Sequence, residues 1–335
     1  MNKKSLMTGA ALLAVVTAVP VVAQSTRRPP APPKAAAAQG MPGMTDADRA
    51  TASQYKESEA LGLQIALDKE GFSPGEIDGR LGKNTLRALE AFEGAKGRKA
   101  TPATNNGLID YTITAEDAAG PFVKAPADMM AKSKLEKLDY ASLLEKLGER
   151  FHIAPALLQK INPGKRFASG VAIKVPGIEV IAIPDARPQG QAAGGSFATN
   201  VSITVSKSKS ALQVLDASGA VVFRAPVTTG SEKDPLPIGV WAVTTVSRNP
   251  VFNYNPGLFW DANPAHAKAK IPAGPNNPVG VVWIDLSKEH YGIHGTPEPG
   301  KIGYSESHGC IRLTNWDALR VAALVGKGTV VRLVE

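Results

Sequence analysis

Ser307-His308-Gly309-Cys310-Ile311-Arg312-Leu313 holds the only cysteine of the 335-residue chain, sixteen residues after the histidine of Ile293-His294-Gly295-Thr296. A free thiol titrates at about 8.5, so a nucleophilic cysteine needs a base or a positive field beside it. His294 and His308 are the two candidates. His308 lies two residues from the thiol, where backbone geometry makes an imidazole to Sγ contact awkward even if the segment is extended. His294, on a separate segment, approaches freely and is assigned as the base that takes the thiol proton and returns one to a leaving amine. His308 is expected to shape the substrate site.

The glycines have their own chemistry. Gly309 lets a carbonyl oxygen come close to the backbone N–H groups of Gly309 and Cys310, which form a candidate oxyanion hole. The carbonyl of Gly295 is placed to accept the other ring N–H of His294 and fix its tautomer, with no acidic third member. Arg312 either binds a substrate carboxylate or makes a structural ion pair. Ser307, Tyr304 and Trp260 are further candidates for substrate contact. Phe252 to Lys270, rich in Asn, Pro, Gly and aromatics, reads as a lid over the cleft or as a folded structural loop. Zinc is the rival for His294, His308 and Cys310, but no Cys-x-x-Cys or His-x-x-x-His pair supplies a ligand motif. No cofactor or metal is expected.

Residues 199–335 alternate in the manner of strands: Val201, Ile203 and Val205, then Ala211–Leu215 and Ala220–Phe223 about the turn Asp216-Ala217-Ser218-Gly219, and later Val240–Val246, Val279–Ile284 and Thr329–Val334. One helix is expected late, with Thr314 and Asp317 as a capping box and Gly326 as its stop. His294-Gly295-Thr296 with Ser307-His308-Gly309-Cys310-Ile311-Arg312-Leu313, and Ile271-Pro272-Ala273-Gly274-Pro275-Asn276-Asn277-Pro278-Val279-Gly280 upstream, resembles the signature of the L,D-transpeptidase (YkuD-type) catalytic domain. The resemblance implies a mainly antiparallel β-sandwich and a two-step acyl transfer. Cys310 attacks the carbonyl at the L-centre of the diamino acid in a peptidoglycan tetrapeptide and expels the terminal D-Ala. An amine of a second stem then resolves the thioester, giving a 3-3 cross-link. It also implies acylation of the thiol by carbapenem β-lactams. The alternatives are an L,D-carboxypeptidase, in which water resolves the thioester, and a non-catalytic wall-binding protein.

The chain as a whole is expected to be multidomain α+β. Asn2-Lys3-Lys4, the apolar run Leu6–Val22 and the small residue Ala23 read as a signal peptide over 1–23. A retained anchor is the competing view, and the run of about 17 residues is at the bottom of the spanning range. The membrane is expected to be met only through that segment, and the mature protein is placed in the periplasm, associated with the cell wall. Export leaves the lone cysteine without a possible internal disulfide. A proline- and alanine-rich linker over 24–44 precedes a helical domain over 45–110. There Leu63-Gln64, Gly71-Phe72, Gly75-x-Ile77-Asp78-Gly79-x-Leu81-Gly82, Thr85 and Leu89 resemble the peptidoglycan-binding domain of wall enzymes. One departure is Glu93, where that family usually has Gln.

Over 135–180, Leu143, Leu144 and Leu147, then Leu157, Leu158 and Ile161, and the alternating Gly170–Pro176 resemble a degenerate βααβ lysin motif (LysM) lacking its usual first strand. A second linker spans 185–198. The formal charge of +8 permits nucleic-acid binding, but Lys and Arg are scattered without a basic run, so no nucleic-acid partner is expected and attraction to anionic wall polymers suits the charge better.

Overall fold

The computed structural model describes residues 44–180, 200–305 and 307–335. The expected signal peptide, the 185–198 linker and all but the last residue of the 24–44 linker lie outside them.

The first unit is helical. Its helices are α1 (Asp46–Ala52), capped by the Thr45 hydroxyl, α2 (Ala60–Lys69) and α3 (Lys83–Lys96). Leu63, Leu67, Phe72, Leu86, Leu89 and Phe92 close into one apolar cluster, with the rings of Phe72 and Phe92 edge-to-face at 5.4 Å. Each such side chain contributes about 1.5–3 kcal/mol by leaving water. Buried Gln64 ties the connecting turn to α2: its Nε2 donates to Asp78 Oδ1 and its Oε1 accepts from the N–H of Gly79, both at 2.8 Å. Gly79 has φ +74°, a conformation open to glycine at little cost.

The second unit runs through β1 (Leu108–Thr112), the short α4 (Ala115–Ala118) and α5 (Met129–Lys132), then α6 (Leu143–Arg150), α7 (Pro155–Lys160) and β2 (Ala172–Pro176). β1 and β2 pair antiparallel, Leu108 opposite Pro176 and Thr112 opposite Ala172. β2, in the 135–180 stretch, thus finds its partner in β1, upstream of an insertion and partly inside the stretch assigned to the helical domain.

The third unit contains β3 (Ser202–Ser206), β4 (Ala211–Leu215), β5 (Val221–Pro226), β6 (Gly239–Arg248), β7 (Phe252–Tyr254), β8 (Ala269–Ile271), β9 (Val282–Leu286), β10 (Gly292–His294), β11 (Ile311–Arg312), α8 (Asn315–Leu324) and β12 (Val330–Val334). The expected sandwich is instead one continuous eight-stranded mixed sheet in the order β11-β10-β9-β6-β12-β3-β4-β5. Strand β6 explains the difference. Its first residues, through Ala242, pair with β12, and from Val243 it pairs with β9 across a register shift between Val243 and Thr245, so one long bulged strand serves both halves of the sheet. β10–β11 and β12–β3 are parallel pairs, and the other neighbours are antiparallel. Ile284, Ile293 and Ile311 face the core together with Ala318, Val321 and Ala322 of α8. The Thr314 hydroxyl accepts from the N–H of Asp317 as expected, but Asp317 Oδ2 also accepts from Ser73 Oγ of the first unit at 2.9 Å.

That bond is one of many between the N-terminal units and the sheet unit. Ser73 N–H donates to Arg224 O and Arg224 N–H to Gly71 O, each at 2.8 Å, and Asn84 Nδ2 donates to Ile302 O at 2.8 Å. Leu138 N–H donates to Ala273 O at 2.9 Å.

Candidate active site

Strand alternation builds the site. In β10 and β11, Ile293 pairs with Ile311 and His294 with Arg312, so the isoleucines point to the core and His294 and Arg312 to the opposite face, with Cys310 just before β11. β9 contributes Trp283 opposite His294 and Asp285 opposite Gly292. The Trp283 indole stacks on the His294 ring at 5.4 Å and 19°, and Gly292 is glycine of necessity, since a Cβ there would stand 2.6 Å from the indole.

His294 is 4% exposed, and its Nδ1 lies 2.6 Å from the carbonyl oxygen of Gly295. A carbonyl only accepts, so Nδ1 carries the proton and Nε2 is left as the basic nitrogen. Burial, reinforced by the Arg312 charge and opposed by the Gly295 bond, lowers the imidazole pKa to about 3. Burial also pushes the Cys310 thiol up, against the Gly292 N–H and Arg312, which pull it down. Both groups are neutral at pH 7. Sγ donates to His290 O at 3.8 Å, and among the described residues it makes no hydrogen bond to His294.

The Arg312 backbone pairs with Thr228, while its guanidinium has no ion pair among the described residues. Gly309 has φ +96°, and a Cβ there would come 2.7 Å from Cε1 of Tyr291. Among the described residues the N–H groups of Gly309 and Cys310 have no protein acceptor.

Several expected residues have other engagements. Ser307 is buried and its hydroxyl donates to the Cys310 carbonyl at 2.6 Å, bracing the turn from inside rather than facing a ligand. Tyr304 lies under Lys83 Nζ, 4.9 Å from the ring centroid, at the junction with α3. His308 Nε2 donates to Asp261 Oδ1 at 2.8 Å, and its ring meets Phe259 edge-to-face at 5.2 Å and Trp260 at 5.8 Å. The 252–270 segment thus folds as the β7–β8 hairpin with its far end on the residue two before the thiol. Trp260 is 59% exposed, with Lys233 Nζ 3.7 Å above its ring. Tyr254, at the other end of that segment, is buried with Leu138 and Ile271 at the hairpin base. Among the described residues no three His, Cys, Asp or Glu side chains converge as metal ligands.

Sequence reasoning missed Asp261, Trp283, Tyr291 and Asn315. Asn315 Oδ1 accepts from the N–H of Val281 at 3.2 Å and sits where a Cβ on Gly295 would stand 2.2 Å away. Its place two residues after Leu313 was the one available signal.

The sequence profile of the L,D-transpeptidase catalytic domain (YkuD) matches residues 200–333. The YkuD protein of Bacillus licheniformis, named as an L,D-transpeptidase, is 31% identical over 189 residues, covering 56% of this chain and 90% of its own length. Its Bacillus subtilis namesake is 28% identical over 188 residues with the same coverage, 56% and 90%. Among solved structures, L,D-transpeptidase 3 from Mycobacterium tuberculosis in complex with a faropenem-derived adduct is 18% identical and covers 41% of this chain and 60% of that one, with a TM-score of 0.33. With nine-tenths of the Bacillus licheniformis protein covered and the profile spanning the whole sheet unit, the chain belongs to the L,D-transpeptidase (YkuD) family.

Proposed function

We propose that the protein is an exported cysteine L,D-transpeptidase that forms 3-3 cross-links between peptidoglycan stems. The observation that carries this is the pairing of His294 with Arg312 across β10 and β11, with the Arg312 charge acting on both His294 and Cys310 and His294 Nδ1 held by the Gly295 carbonyl.

In the first half-reaction His294 Nε2 takes the thiol proton as Sγ attacks the carbonyl carbon at the L-centre of the donor's third residue. A neutral thiol and a neutral imidazole favour proton transfer during the attack over a standing ion pair. This requires the Cys310 side chain to turn from His290 O toward His294; catalytic hydrogen bonds are often long or absent before substrate binds. The N–H groups of Gly309 and Cys310 receive the developing oxyanion. The C–N bond to D-Ala breaks, its nitrogen takes the proton from His294, and a thioester remains. In the second half-reaction an amine of another stem loses a proton to His294 and attacks the thioester. The new amide forms and the thiol is restored. Arg312 binds a carboxylate of the donor stem, a pairing worth more on a buried face than in water.

The same thiol is the site of carbapenem acylation in this reading, and the periplasm is the compartment. Product mass spectrometry on disaccharide-tetrapeptides tests it. A cross-linked dimer from the wild type and none from Cys310→Ala is expected. Dimer from Cys310→Ala would sink the assignment, and tripeptide in place of dimer would make the enzyme an L,D-carboxypeptidase.

A further inference from the structure

Glu149 stands outside the residues matched by the family profile, yet it touches the sheet unit at its most sensitive point. It is the penultimate residue of α6. Oε1 accepts from the Tyr140 hydroxyl and Oε2 from Asn315 Nδ2, each at 2.9 Å. Asn315, the first residue of α8, also donates from Nδ2 to Pro275 O at 3.1 Å, while its Oδ1 accepts from the N–H of Val281 at 3.2 Å. The Pro275 carbonyl only accepts and the Val281 N–H only donates, so these two partners fix which way the amide faces and turn Nδ2 toward Glu149.

Its Oδ1 fills the space that a side chain would need at two glycines: a Cβ on Gly280 would stand 2.0 Å from it and one on Gly295 2.2 Å. Gly295 is thus held between Asn315 and Val282, whose carbonyl accepts its N–H at 3.2 Å. The Gly295 carbonyl is in turn the acceptor for His294 Nδ1.

Resting on the assignment of His294 as the base, we infer that Glu149 is a positioning residue for acyl transfer, holding the Asn315 amide against Gly295 and thereby the His294 ring in its reactive orientation. Without an acceptor at 149, a buried Nδ2 donor loses a partner, which favours rotation or hydration of the amide. The Gly295 peptide then gains freedom, and an imidazole misplaced by a fraction of an ångström loses rate. If the contact merely joined the two units, its loss would lower stability without changing the rate of the enzyme that remains folded.

The experiment uses the full mature chain and imipenem, separating the first-order acylation constant from the half-saturating concentration, with intact mass locating the adduct. A wild type that is never acylated at Cys310 would fail the proposed function and with it the inference. Given acylation of the wild type, Glu149→Gln, which keeps an oxygen for Asn315 Nδ2, is expected within about threefold of it, whereas Glu149→Asp and Glu149→Leu are expected about tenfold or more slower in the first-order constant with half-saturation nearly unchanged. Rates are expressed per folded molecule from circular dichroism, and if Glu149→Leu does not fold, the Asp and Gln variants decide. Equal first-order constants across the folded variants, or a loss confined to half-saturation, overturn the inference.

Discussion

Asp68 of α2 accepts two hydrogen bonds from Arg320 of α8, at 2.7 and 3.1 Å, and a third from His152 Nδ1 at 3.0 Å, so one buried carboxylate joins all three units. Burial pushes this group up, but His152 and Arg320 outweigh it and hold the carboxylate well below its usual range. Removing the charge strands Arg320. Asp68→Asn is expected to destabilise the protein by about 3–5 kcal/mol, the cost of leaving one partner of a buried pair. Urea denaturation checks this, and a loss below about 1 kcal/mol, the size of an exposed pair, would reject it.

Three carboxyls shift the other way. Burial raises Glu149 to about 7, Glu76 to about 7 with help from Asp78, and Asp317 to about 6 against the pull of Arg320. Between the unfolded carboxylate range and about 7 the folded state binds more protons, so stability falls as pH rises through that window. Asp68 acts below it, where its depressed value makes stability fall as pH drops through the unfolded carboxylate range. Urea midpoints are therefore expected to be higher at mildly acidic pH than at pH 8, with Glu149→Gln flattening the slope. A midpoint that rises steadily to pH 8 would contradict the shifts.

The thiol is expected to react slowly with iodoacetamide at neutral pH, because burial raises it. Intact mass against time and pH should place the alkylation midpoint above that of an ordinary free cysteine. Arg312→Ala, which removes a charge that lowers the thiol, should move the midpoint higher still. A midpoint near neutrality would indicate a standing thiolate and exclude proton transfer during attack.

Asp261 holds the hairpin tip to His308 through a partly exposed bond. Asp261→Ala should leave the melting temperature nearly unchanged, since such pairs contribute about 0–1 kcal/mol. It should raise KM for the tetrapeptide donor severalfold while kcat changes less. An unchanged KM would separate the hairpin from substrate binding.

Gly309→Ala meets both a strained φ and the Tyr291 ring. Strain of this kind costs about 1–3 kcal/mol. It lies beside the nucleophile, so imipenem acylation should fall far more than the denaturation midpoint does. Acylation at the wild-type rate would mean that this turn does not shape the oxyanion site.

Much of the architecture is written in short-range pattern. Leu86, Leu89 and Phe92 mark α3, the alternation of Val201, Ile203 and Val205 marks β3, and the motif around Cys310 lies in adjoining segments whose strands are neighbours. What could not be read depends on pairs far apart in sequence. β1 finds β2 across an insertion, and its five residues lack a turn signal that would announce the pairing. The Asp68–Arg320 and Glu149–Asn315 bonds carry no periodicity at all. The placing of Ser307 and Tyr304 was unreadable for a related reason: nearness to a nucleophile in sequence says little about where a side chain points, and a tight turn sends one inward and the other toward α3.

The bonds from Ser73, Asp68 and Leu138 into the sheet unit tie the N-terminal units to the body that carries the thiol. Such a body behaves as a gauge and not as a hook on a string. The distance from any point on the N-terminal half to Cys310 is set by the fold and not by the length of a tether.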